Sequence, residues 1–529
     1  MARQSKIILC KNIKIDRDMK NVLSYTEAQM LTLCNSNGIK VSEASNYSFI
    51  GKGDRDAITV SVSYATCLGC NYMAFQNYNY NNKWYFAFID RVEYISEGST
   101  RLHYTVDIFS TWLDYWSNKA CYIVREHANT DTVGSNTIDE GLGTGDSYVI
   151  RSHQRDISIT NSTYFYIAST FSPESREESF GGKYNGLYSG TKFYGYPLEG
   201  INQNIGYIVN DNTGHGGMQA IQAVFTAPGF FNPTSSGLVP NSDTPYTYDN
   251  QVTPITTIGS YTPKNKKVLT FPYVYYELSN AVGSTAILKQ ELFTGTNTSG
   301  NYVLRVKAVL CPGCSIRMYP VDYNGSTNNV DEGITLGKYP ICNFAGDIFT
   351  NWVTQNGVNI AVNTVQSLAS LGTGVAKAVA TDGAMGTGDI SSGALGVIST
   401  LDSIRRADLV PPQVEGNINA GDVMFSSGEL TFHVYKKTVK EEIARAIDDY
   451  FTMFGYKTNR LKTANQTGRS NWNYVQIAPG ETIGYQKDNV TAIPPADLVN
   501  INKLYQRGIT LWHNHSTMGD YTQTNSIVS

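Results

Sequence analysis

Lys83–Ile95 (KWYFAFIDRVEYI) and Thr100–Phe109 (TRLHYTVDIF) are two apolar, aromatic-rich runs separated by a short turn around Glu97-Gly98-Ser99. Strand side chains alternate between two faces, so runs of this kind read as the arms of a β-hairpin. Asp56–Tyr64 (DAITVSVSY) repeats the pattern, with Ile58, Val60, Val62 and Tyr64 on one face. Thr163–Ala168, Lys264–Tyr276, Tyr302–Val309, Glu429–Tyr435, Glu481–Val490 and Arg507–His515 read as further strands. Helical signals are fewer. In Ser24–Leu33, Ser24 precedes Glu27 at capping-box spacing. Gly217–Phe225 (GMQAIQAVF) carries a weak helical signal, and Lys440–Phe454 a clear one, with Ile443, Ile447, Tyr450, Phe451 and Phe454 on one stripe. The expected fold class is mainly β with a few helices, a β-rich α+β protein. Strand-plus-helix halves at the two ends suggest a duplicated sandwich or barrel.

Composition narrows the function classes. Of 529 residues, 16% are charged and 12% aromatic, with 36 Tyr and 47 Gly, which excludes a disordered chain and a coiled-coil rod. The net charge of −4, with no basic stripe, argues against gripping nucleic acid by its phosphates. Ile7–Cys10 is too short for a signal-peptide core, and no run of apolar residues is long enough for an ordinary membrane span. The expectation is synthesis in a cytoplasm. There is no GxSxG, HExxH, Walker loop or dinucleotide fingerprint, and Gly141-Leu-Gly143-Thr-Gly145 reads as a turn. The chain is therefore read as no enzyme, with no catalytic residues, metal or cofactor. The pairs Cys67-Leu-Gly-Cys70 and Cys311-Pro-Gly-Cys314 are too far apart in sequence for a zinc ribbon and read as reduced structural cysteines. His513 and His515 have metal-compatible spacing on a strand but read as surface residues. Arg125-Glu126-His127 reads as a structural ion-pair site, and Asp448-Asp449 as a solvated helix surface.

The pattern divides the chain into a β-domain at 1–128, a loop-rich β insertion at 129–262, a β-domain at 263–352, an apolar Gly/Ala-rich segment at 353–412 and a C-terminal β-domain at 413–529 with the helix 440–454. The fourth segment is the unusual one. No aromatic residue occurs from Val353 through Met424, and Val358–Leu401 is charged at Lys377, Asp382 and Asp389 alone. Val358, Ala361, Val362, Val365, Leu368 and Ala369 share one helical face, and Ala394, Val397, Ile398, Leu401 and Ile404 share another, on either side of a glycine-rich tip at Gly372–Gly388. A long excursion of this kind is usually functional.

A set of motifs, taken in order, carries a resemblance. They are Trp84-Tyr-Phe-Ala-Phe-Ile-Asp90, His103-Tyr-Thr-Val-Asp107-Ile-Phe-Ser-Thr-Trp112, Val124-Arg125-Glu126-His127, Asp131 and Glu140-Gly-Leu142. Lys264-Asn265-Lys266-Lys267 and Phe271-Pro272-Tyr273 follow, then Asp449-Tyr450-Phe451, Phe454-Gly455-Tyr456-Lys457, Arg469, Trp472-Asn473-Tyr474 and Gly508-Ile-Thr-Leu-Trp512-His513. Together they resemble the tail knob, or distal tail tube, proteins of small short-tailed (Picovirinae-like) phages. The resemblance implies tube-type β-sandwich or barrel domains with loop-rich insertions, assembled as a homohexameric ring whose lumen passes phage DNA without specific binding. It also implies other tail proteins as partners (an upper tail tube, a tail-tip or wall-degrading protein), residence in the distal tail of the virion, and a hydrophobic loop that plugs the lumen and later enters host membrane lipid. The aromatic-free segment stands at the corresponding place. Its candidate membrane-active residues are Val358, Ile360, Val362, Val365, Leu368, Leu371, Val375, Val379, Leu395, Val397, Ile398 and Leu401. The alternative is a receptor- or wall-glycan-binding adhesin using the Tyr- and Asn-rich stretch 129–261. A wall hydrolase is disfavoured by the missing acid/base and metal motifs.

Overall fold

The computed structural model describes residues 5–343 and 431–528, apart from short stretches at 46–48, 53–54, 77–81, 157–162, 176, 198–203, 205–206, 209–219, 232, 281–282, 312–314, 325–332, 337–340 and 488–491. These residues are mostly β, as expected. They form two compact units, one made of Met1–Gly143, Tyr261–Val268 and Glu441–Ser529, the other of Thr144–Ser260 and Leu269–Lys440.

The first unit is built on the hairpin quoted above. Trp84–Ser96 pairs antiparallel with Ser99–Val106 inside a seven-stranded sheet that also holds Lys6–Cys10, Lys40–Ser45, Phe49–Lys52, Arg55–Val60 and Tyr72–Gln76. Both faces of its centre are buried, and the alternation assigns each side chain to one of two cores. Ile8, Cys10, Tyr72, Ala74, Phe86 and Phe88 enter the larger apolar cluster. Their neighbours Ile7, Leu9, Met73, Phe75, Ala87 and Ile89 enter the other. The larger cluster is shared with a five-stranded sheet, in which Asn21–Leu23 runs parallel to Ile509–Trp512 and Trp472–Ile477, Cys121–Glu126 and Tyr456–Lys462 follow antiparallel. The two ends of the chain thus share one core.

Local readings are corrected in places. The first helix is Glu27–Cys34, and its capping box is Thr26 with Gln29, not Ser24 with Glu27. Ser24 is instead bonded to Trp512 and His513. Within 264–276 the chain makes a 3₁₀ turn, Lys266–Leu269, before the strand Val274–Ser279 begins. Of Gly217–Phe225, Ile221–Phe225 belongs to the strand Ile221–Pro228, because sheet pairing with Thr163–Ser169 on one side and Ile341–Asn343 on the other overrides its weak helical signal. A helix at Pro495–Arg507 opens with proline at its first position.

Scattered polar motifs meet in the first unit. Glu140, whose side chain is fully buried, accepts from Arg125 and from Lys267, the latter at 2.5 Å. Glu126 accepts from Lys462 and, at 2.8 Å, from the Asn465 backbone. Asp448 is fully buried, not solvated as its sequence neighbourhood suggests. It lies on the same helix face as Ala444 and Phe451, and its charge is held by the Tyr261 hydroxyl, the backbone of Lys264 at 2.7 Å and Asn265 at 2.9 Å, and the Asn265 amide at 2.8 Å. Gly455 ends the helix at φ 64°, where a side chain would strike the Glu126 carbonyl. Arg125-Glu126-His127 is accordingly an ion-pair and hydrogen-bond site inside the fold.

His127 Nδ1 accepts from the Tyr474 backbone at 2.8 Å and Nε2 donates to the Thr452 carbonyl at 3.1 Å, which fixes the neutral tautomer. Burial first, then the charges of Arg469 and Arg125, push its pKa down to about 3. The unfolded chain therefore binds a proton that the folded chain refuses between about pH 6.5 and about pH 3. Stability contributed by the neutral ring is whole above that window and falls within it by up to about 1.4 kcal/mol per pH unit. Denaturant titrations of wild type and His127→Gln at pH 7.5 and 5 should show the wild type losing more stability on acidification. Parallel losses would refute this assignment.

Candidate functional site

The twelve candidate membrane-active residues, Val358 to Leu401, and the whole aromatic-free segment lie outside the described residues. The nearest described chain on either side of it, up to Asn343 and from Thr431, belongs to the second unit. The entry is Ile341–Asn343, at the edge of a four-stranded sheet with Lys192–Tyr196, Thr163–Ser169 and Ile221–Pro228. It pairs antiparallel in the register Ile341 to Phe225 and Asn343 to Ala223. The exit is interior. Thr431 and Phe432 are fully buried, and His433–Thr438 runs between Val149–Arg155 and Val274–Ser279, the latter also pairing with Thr285–Leu288.

Asp156 ties the exit down. Its carbonyl accepts from Thr431 Oγ1 at 2.6 Å, and its backbone N–H donates to the Phe432 carbonyl at 2.9 Å. Its carboxylate accepts from the Tyr248 hydroxyl and, at 2.9 Å, from the Asn250 amide. The exit thus bonds the backbone of Asp156 while the strand Tyr246–Val252 holds its carboxylate, so three chain segments meet at one buried residue, a geometry that resists displacement of the exit strand. Sequence reasoning missed Asp156, since its partners lie 92 and 275 positions away and leave no local signal.

Beside it, the rings of His153 and His433 stack with centroids 5.0 Å apart, and His153 Nε2 lies 2.8 Å from His433 Nδ1. Tyr435 stacks on His153 at 4.5 Å. One imidazole must donate and the other accept, so at least one is neutral while the contact stands. Burial, then Arg155, lowers the His153 pKa and favours that state.

The remaining candidates fall elsewhere. Cys67 and Cys70 belong to the smaller apolar cluster of the first unit; burial raises both thiol pKa values, that of Cys70 to about 11. Cys311 is half-buried in the second unit, and Cys314 lies outside the described residues. His513 and His515 do not share a strand face, because the strand Ile509–Trp512 ends before them. His513 is bonded through Nδ1 to Ser24 at 2.8 Å and through Nε2 to Asn473 at 2.9 Å, while His515 Nε2 accepts from the Lys14 backbone at 3.3 Å. Among the described residues no group of three His, Cys, Asp or Glu is placed to hold a metal ion. In the Tyr-rich stretch, a hairpin of Lys183–Tyr184 and Leu187–Tyr188 turns at Asn185-Gly186, with φ of 49° and 90°. It leaves Tyr188 at 87% and nearby Phe180 at 77% exposure.

Comparison with known proteins agrees with the motif-based resemblance. The family model for the C-terminal domain of the Bacillus phage phi29 tail knob protein gp9 matches residues 234–526. A second, for the N-terminus of caudoviral major tail proteins, matches residues 3–117. Tail knob protein gp9 of Bacillus phage B103 is 24% identical, with 98% of this chain and 97% of that protein aligned. The gp9 of Bacillus phage PZA is 25% identical, with 99% and 98% aligned. Among solved structures, the bacteriophage C1 tail knob protein gp12 has the same fold, with a TM-score of 0.66 at 15% identity over 99% of this chain and 100% of that one.

Proposed function

We propose, from the premise that this chain belongs to the phi29 gp9 tail knob protein family and is a structural component of the phage tail, that it forms a homohexameric tube at the tail tip. DNA passes through the lumen during ejection, and the segment 353–412 from each copy plugs that lumen until release, then enters the host membrane. The chain is made in the host cytoplasm, joins neighbouring tail proteins in the virion, and catalyses no reaction. The observation that carries this reading is the aromatic-free apolar segment itself, inserted between one strand at a sheet edge and another held by Asp156. A segment of this composition builds no core alone, but six copies around an axis can bury one another's Val, Leu and Ile. In lipid its backbone must be bonded internally, so it enters as helix, and its Gly and Ala allow close helix packing. A wall with little attraction for phosphate lets DNA slide, in keeping with the net charge of −4.

Native mass measurement and negative-stain imaging of the purified chain test the assembly. A hexamer with a central hole is expected; a stable dimer or trimer at high concentration, with no ring, would overturn it. The second reading, an adhesin, is favoured by the exposed Tyr188 on the Asn185-Gly186 hairpin and by the exposed Phe180 just before it in sequence, since exposed aromatic faces suit sugar stacking. Binding of wall glycan fragments by the intact chain, lost in Tyr188→Ala, would support it.

A further inference from the structure

The first unit contains a cavity of about 380 Å³ on whose walls several charged and polar side chains meet. Its walls are His127, Asp131, Lys264, Asn265, Thr452, Arg469 and the C-terminal stretch 522–527. We propose that this cavity binds an oxyanion, the carboxylate or phosphate group of a small polar molecule, with Arg469 as its anchor and Lys264 as a second cation.

Arg469 is only 7% exposed, yet its Nη1 and Nη2 donate to neutral carbonyls, those of Asn525 at 3.2 Å and Ala128 at 2.9 Å. Among the described residues its Nε has no hydrogen-bond partner and the guanidinium forms no ion pair. Burial makes a charge costly unless it is compensated, and a planar guanidinium offers parallel N–H groups that match a two-oxygen anion. Burial lowers the Arg469 pKa, while Tyr456 and the Asp131 carboxylate act in the opposite direction. Lys264 is exposed and likewise forms no ion pair among the described residues. The opposing carboxylate, Asp131, already accepts from the Tyr456 hydroxyl at 2.6 Å and the Lys266 backbone at 3.2 Å. His127 is neutral with both nitrogens engaged, so it neither repels nor pairs with an anion. Two cationic residues and one carboxylate that already holds donors therefore line the cavity. The volume exceeds that of a bare ion and falls in the range of small-molecule sites, which assigns the remaining space to the body of the molecule that carries the anion.

Calorimetric titration of the full chain with inorganic phosphate, glycerol 3-phosphate and acetate, each against chloride at equal ionic strength, tests this. Saturable one-site binding of at least one probe is expected, weakened about tenfold or more in Arg469→Gln and several-fold in Lys264→Glu. Tighter binding of glycerol 3-phosphate than of phosphate would identify phosphate esters as the ligand class; preference for acetate would identify carboxylates. Lys264→Glu changes an exposed side chain and keeps the test valid if Arg469→Gln does not fold. No saturable binding of any probe, or unchanged affinity in Lys264→Glu, would overturn the proposal.

Discussion

A chain lacking Val358–Ile404, with the gap closed by a short Gly/Ser linker, is expected to assemble like wild type but to release no dye from liposomes and to deliver no genome after adsorption. Both anchors survive the deletion: Ile341–Asn343 keeps its register against Ala223–Phe225, and Thr431–Phe432 keeps its bonds to Asp156. The two apolar stripes are each shorter than the roughly 20 residues that cross a bilayer. Single copies should therefore bind lipid marginally, and leakage should rise steeply with the number of copies per vesicle. Replacing Val362, Val365, Leu368, Val397, Ile398 and Leu401 by Asp should act like the deletion, because each charge at bilayer depth costs about 2.5–3.5 kcal/mol. A deleted chain that still permeabilises liposomes and still delivers DNA would reduce the segment to a spacer.

Asp448→Ala should be the most damaging point change in the first unit. It strips the acceptor from the Tyr261 hydroxyl and two backbone N–H groups where Tyr261–Val268 docks on the helix Glu441–Phe454, and leaves the Asn265 amide only its bonds to the Asp448 carbonyl and Thr452. The expected loss is on the order of 3–4 kcal/mol, a large share of the roughly 5–15 kcal/mol that holds a typical domain. Asp449→Ala, one position away and exposed, should fall within about 0.5 kcal/mol of wild type. Denaturant unfolding of the two variants side by side decides it, and equal stability would refute the role given to Asp448.

What the sequence determined by itself was whatever depends on near neighbours. The alternation in Lys83–Ile95 and Thr100–Phe109 specified a hairpin, and the structure has Trp84–Ser96 paired with Ser99–Val106. The apolar stripe of Lys440–Phe454 specified a helix, found at Glu441–Phe454. The ordered motifs identified the family, because each preserves a local pattern that survives without its partners. Tertiary structure decided the rest. Asp448 and Asp449 are indistinguishable by type, and only the docking of Tyr261–Val268 makes one a buried acceptor while the other faces solvent. Gly217–Phe225 has a weak helical period, and the flanking strands supply hydrogen bonds that settle Ile221–Pro228 as a strand. Asp156 reads as an ordinary polar residue until Tyr248, Asn250 and Thr431 converge on it from distant positions. Periodicity reports which face of an element is apolar, but a buried polar group is defined by donors that the folded chain alone brings within reach.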